Sequence, residues 1–63
     1  MFKAIKENKE FKNTMALVKE YIARNHKEII LYINYPKTVE RLKEEPGLEV
    51  NYNGCGMFII SWN

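Results

Sequence analysis

Aspartate and glutamine are missing altogether from the 63 residues, and histidine and cysteine occur once each, as His26 and Cys55. Without aspartate there is no Ser-His-Asp triad, no aspartyl dyad, no EF-hand loop and no aspartate-anchored magnesium site. One cysteine excludes an intramolecular disulfide, and one histidine beside it leaves too few donors for a zinc set. No apolar run approaches the roughly 20 residues of a membrane-spanning helix; the longest is Ile29 to Ile33. The lysine-rich start lacks the apolar segment and small-residue cleavage site of a signal peptide. With a lone thiol, that combination points to a reducing, cytoplasmic setting. No cofactor is expected and no small-molecule substrate is identified.

What is present suffices for a folded chain: hydrophobic residues make up 46% and charged residues 29%, a balance that allows a core. The length predicts one domain over residues 1–63. A chain of this size buries only about 60% of the surface its unfolded form exposes, and its core supplies roughly 3–5 kcal/mol. With neither a disulfide nor a metal to draw on, association with a second copy is the support left, so a homodimer is expected.

Periodicity supplies the elements. Phe11, Met15, Val18 and Ile22 recur at helical spacing, Leu17 and Tyr21 widen the stripe, and Phe2 and Ile5 extend it upstream. The spacing predicts a helix from about Lys3 to Arg24, either continuous or broken at a cap near Asn13-Thr14. Glu28 to Tyr35, rich in isoleucine and tyrosine, reads as a strand closed by Pro36. Pro36 suits the first turn of a second helix running to about Glu45, with Val39 and Leu42 inward and Pro46-Gly47 as its stop.

The rest is a hairpin, Leu48 to Asn53 and Met57 to Trp62. Its register decides which face is buried, because a one-residue slip exchanges the faces. A two-residue turn at Asn53-Gly54 would put Phe58, Ile60 and Trp62 on the same face as Glu49 and Asn51. A three-residue loop with Gly56 left-handed pairs Tyr52 with Phe58, Val50 with Ile60 and Leu48 with Trp62, gathering the bulky residues on one face. The second register is the one predicted. The fold class is then α+β in the order α-β-α-β-β, a three-stranded sheet with two helices packed on one face and the last strand in the middle. Tyr35, Tyr52, Phe58 and Trp62 are placed on the core side. Ile30, Tyr32, Met57 and Ile59 fall on the outer face and form the candidate protein interface, with Tyr32 its natural anchor.

Charge and chemistry add little to this. Net charge is +2, and the surplus of base lies before Ile29. Lys3, Lys6, Lys9 and Lys12 are the candidate nucleic-acid contacts, but they step by three, drift around the helix and alternate with glutamates, the pattern of a solvated face. A recognition-helix pattern and paired strand aromatics for base stacking are both lacking. Cys55 sits between two glycines at the hairpin tip, where a nucleophile would need a base or cation beside it; the sequence assigns it only a turn. Gly54-Cys55-Gly56 precedes a strand rather than a helix, so it is not a phosphate loop.

Leu42-Lys43-Glu44-Glu45, then Gly47-Leu48-Glu49-Val50, a glycine-containing turn and Ile59-Ile60-Ser61-Trp62 make up a cadence that resembles short uncharacterised α+β proteins of Gram-positive phages and prophages. The resemblance spans about residues 28–63 and carries no catalytic motif. It implies a small accessory or host-takeover regulator that acts by surface contact. The expectation is therefore a non-enzymatic protein-binding module, self-associating or bound to a protein partner, with a nucleic-acid-binding regulator as the alternative.

Overall fold

Good helix formers run without glycine or proline through Phe2–Ala23, and in the computed structural model they form one unbroken helix, α1. The structure describes residues 2–62, and of residues 2–4 only the backbone. Thr14 caps nothing; its side chain is buried within the continuous helix. The C-terminal end is tied off by Asn25, which takes a positive φ of 66°. The Asn25 N–H donates to the Ile22 carbonyl at 3.0 Å and the His26 N–H to the Tyr21 carbonyl at 3.0 Å, a Schellman arrangement. His26 packs its ring on Tyr21 with centroids 4.9 Å apart, the side-chain contact such a cap favours.

Three strands and a second helix follow: β1 (Glu28–Tyr32), α2 (Pro36–Lys43), β2 (Leu48–Gly54) and β3 (Met57–Trp62). The sheet is antiparallel in the order β1-β3-β2, so the last strand is central. β1 stops three residues earlier than its composition predicts, because Asn34 and Tyr35 turn their N–H groups to α1 instead of to a strand. α2 likewise ends at Lys43, two residues short of the predicted Glu45.

The hairpin register is the predicted one, with Tyr52 opposite Phe58, Val50 opposite Ile60 and Leu48 opposite Trp62. The loop differs. Gly54 pairs with Met57, leaving a two-residue turn at Cys55-Gly56, and the register shift between Tyr52 and Gly54 makes Asn53 a bulge. Cys55 and Gly56 hold φ values of 53° and 76°, as a type I′ turn requires. One extra residue in β2 thus does the work that the third loop residue was expected to do.

Both helices cover the same face. Val18, Ile29, Ile33, Leu42 and Ile60 form the buried centre, and Phe11, Met15, Tyr21, Leu31, Val39, Leu48, Val50, Phe58 and Trp62 pack around it. The buried stripe of α1 is narrower than predicted, because α2 shares the small sheet. Leu17 and Ile22 flank the stripe and stay exposed. Trp62 locks the far corner, its indole Nε1 donating to the His26 carbonyl at 2.9 Å and its N–H to the Lys27 carbonyl at 3.2 Å.

Candidate functional site

Among the described residues no helix lies on the outer face of the sheet. Strand alternation places Glu28, Ile30 and Tyr32 of β1 there, with Met57, Ile59 and Ser61 of β3 and Glu49 and Asn51 of β2. The structure brings all four predicted interface residues together: Ile30 stands directly opposite Ile59, and Tyr32 opposite Met57. Ile30 and Tyr32 are 51% and 57% exposed. Met57 and Ile59 are half-buried, being flanked by strands on both sides. Next along the strands lies a polar row of Glu28, Ser61 and Glu49 in register. The patch is therefore apolar at its β1–β3 centre and acidic at one end.

Tyr32 owes its position to glycine. A Cβ built on Gly56 would lie 2.5 Å from Tyr32 Cε2 and 2.9 Å from Cζ, so the ring rests over the turn only because residue 56 has no side chain. The turn is fastened again from the opposite face. Tyr52 accepts a hydrogen bond at its hydroxyl from the Gly56 N–H, 3.3 Å, while its ring packs on Phe58 at 5.1 Å. Tyr52 is not in the core as predicted but 66% exposed. It lines an open groove of about 420 Å³ with Tyr35, Pro36, Val39 and Phe58, where the start of α2 stands clear of the hairpin tip.

The predicted nucleic-acid set does not hold together as one surface. The side chain of Lys3 lies outside the described residues. Lys6 and Lys9 line a groove of about 420 Å³ between α1 and β1, with Leu17, Leu31 and Tyr32. Lys12 faces the other side of α1, beside Lys19 and Glu45. Among the described residues the one ion pair is the exposed Arg24–Glu20 contact at 3.0 Å, so Lys6 and Lys9 have no acidic partner.

Glu10 explains why. It lines the same groove as Lys6 and Lys9 but reaches across to the start of α2. One carboxylate oxygen accepts from the Asn34 N–H at 2.8 Å and from Asn34 Nδ2 at 3.2 Å; the other accepts from the Tyr35 N–H at 3.2 Å and from Thr38 Oγ1 at 2.7 Å. Tyr35 stands at the N-cap of α2 with no side-chain cap of its own, so Glu10 caps this helix from another element. Burial pushes its carboxyl upward, but the hydrogen bonds from Thr38, Asn34 and Tyr35 outweigh that and hold it below its ordinary value. Arg41 adds a second tie. Its guanidinium lies 3.9 Å from the Phe11 ring centroid and donates to Asn8 Oδ1 at 3.0 Å. Sequence reading passed over Glu10 and Thr38. The available signal was Pro36 opening a helix with a tyrosine at the N-cap position, Tyr35, which leaves the cap to be supplied from elsewhere.

His26 and Cys55 are not brought together. They lie at opposite ends of β1, the first before Glu28 and the second at the tip beyond Tyr32, roughly 16 Å of strand apart. Cys55 is exposed. Among the described residues no three metal-ligating side chains cluster, and no helix is long and apolar enough to cross a membrane. Set against known families, curated proteins and solved structures, the chain matches none of them.

Proposed function

We propose that this chain is a small, non-enzymatic protein-binding module that uses the bare face of its sheet, first of all to pair with a second copy of itself. The observation that carries this reading is the side-by-side placement of Ile30 with Ile59 and of Tyr32 with Met57 on a face no helix covers. Burying an isoleucine side chain contributes roughly 1.5–3 kcal/mol. A few such residues from each subunit are enough for association at micromolar concentration. With the resemblance of residues 28–63 to short phage proteins taken as an expectation, we extend the proposal to a cytoplasmic accessory role in which the module occupies a host protein's surface. The nucleic-acid alternative is weakened by the division of its lysines between two sides of α1.

Light scattering on the wild type and on Ile59→Lys tests the reading. The wild type is expected at twice the monomer mass and the variant at the monomer mass, with an unchanged circular dichroism spectrum. A wild type that stays monomeric at high micromolar concentration rejects it. Binding that weakens steeply with salt and needs nucleic acid would favour the alternative instead.

A further inference from the structure

The edge of the sheet offers a second surface, distinct from its face. At the two ends of the β1–β3 ladder, the Trp62 N–H donates to the Lys27 carbonyl and the Ile33 N–H to the Gly56 carbonyl, each at 3.2 Å. Antiparallel bonding alternates along a strand, so residues 27, 29, 31 and 33 turn their backbone groups toward β3. Those of Glu28, Ile30 and Tyr32 turn outward. Among the described residues these outward groups have no hydrogen-bond partner, because β1 is an edge strand. The opposite edge is protected by the Asn53 bulge and by Glu49 and Asn51. β1 has no bulge and no proline, and its one charged residue, Glu28, stands at the end remote from Tyr32.

Beside this open edge runs the groove between α1 and β1. Its apolar lining includes Leu17, which is 42% exposed, together with Leu31. Lys6 and Lys9 line it together with Glu10, whose carboxylate oxygens are already taken up by Asn34, Tyr35 and Thr38, so among the described residues the lysines are its unpaired charges.

We infer that the β1 edge receives an extended acidic segment of a partner protein as a fourth strand. Main-chain hydrogen bonds to Glu28, Ile30 and Tyr32 hold it, and its carboxylates reach Lys6 and Lys9. Strand geometry makes the two halves of the recognition compatible. Alternate side chains of an added strand point to the α1 side, where the lysines are, and to the outer face, where Ile30 and Tyr32 are. The segment that fits best therefore alternates acidic with apolar residues. The inference rests on the reading of the chain as a protein-binding module, but it uses the edge and the groove and shares only Ile30 and Tyr32 with the bare face, not Met57 or Ile59.

The test is titration of the whole protein with a short synthetic peptide alternating glutamate and valine. It is compared with a lysine-valine peptide, with the acidic peptide N-methylated at alternate amides, and with a short single-stranded oligonucleotide. The acidic peptide is expected to bind, to shift the backbone amides of Ile30 and Tyr32 and to slow their hydrogen exchange. The lysine peptide and the N-methylated peptide are expected to bind weaker by about tenfold or more, as is the acidic peptide to a Lys6→Glu, Lys9→Glu variant. Binding of the acidic peptide without protection of those amides overturns the inference. So does equal affinity for the lysine-reversed variant, or an oligonucleotide that binds as tightly as the peptide. Ile59→Lys is expected to keep full peptide affinity while losing self-association, so the edge and the face stand or fall separately.

Discussion

Ile29 and Ile30 are chemically identical and one peptide bond apart, yet the first is 5% exposed and the second 51%. The same division separates Ile60, which is fully buried, from Ile59, its neighbour on the central strand. Composition cannot distinguish the members of either pair; parity along the strand can. One face of the sheet has been spent on α1 and α2, and the other holds apolar residues that this chain leaves uncovered. Isoleucine on the covered face is a stability residue. On the bare face it is free to serve another molecule.

The sharpest way to break that contrast is to truncate both members of a pair. Ile60→Ala is expected to destabilise the fold by about 2–5 kcal/mol, since a fully enclosed side chain leaves a cavity behind. Ile59→Ala, at protein concentrations where the chain is monomeric, is expected to cost under about 1 kcal/mol. Urea denaturation of the two variants measures the difference, and equal losses would mean that the two faces are not energetically distinct.

A second way is to loosen the covering layer without touching the core. Glu10→Ala removes the carboxylate that joins α1 to the start of α2 and leaves the Asn34, Tyr35 and Thr38 donors without it. A loss of about 1–2 kcal/mol is expected. Because the folded-state pKa of Glu10 is lowered, its contribution is fully present above the ordinary glutamate value of the unfolded chain. It is lost as pH falls through the lower folded-state value. Glu10→Gln should therefore flatten the acid limb of stability against pH, and an unchanged limb would show that other carboxylates control it.

The smallest expected effect lies at the turn that sets which residues belong to which face. Gly54 and Gly56 both hold positive φ, but only at Gly56 would a Cβ collide with Tyr32. Gly54→Ala is expected to carry the backbone penalty alone, about 1 kcal/mol. Gly56→Ala should carry that penalty and also displace the Tyr32 ring, which is visible in the near-ultraviolet circular dichroism. A normal tyrosine signal in Gly56→Ala would contradict the stacking.

These effects follow how far each feature could be read in advance. The elements, the order of strands and the buried side of the hairpin were legible, Tyr52 excepted, because alternation is a local property and only one register gathers Val50, Phe58, Ile60 and Trp62 on one side. The seat of the turn was not. Asn53-Gly54 is the stronger local turn signal, yet a turn there would put Glu49 and Asn51 on the core side, and burial of the faces prevails over the dipeptide preference. The Glu10 contact was not legible either. It joins residues 24 to 28 positions apart, and nothing in a helical glutamate says whether it faces water or a neighbouring helix end. The outer-face placement of Ile30, Tyr32, Met57 and Ile59 needed only the parity of their strands. The lysines needed the position of β1 as well, which divides them.

The strand order has a consequence for synthesis. β1 and β2 do not touch in the sheet; each pairs only with β3, which is the last of the three to leave the ribosome. Until Met57 to Trp62 emerge, α1, β1, α2 and β2 have no strand to assemble around, and the two edge strands stay unpaired. The sheet therefore cannot form before Met57 to Trp62 are available, and a nascent chain stalled short of them holds both edge strands without their partner.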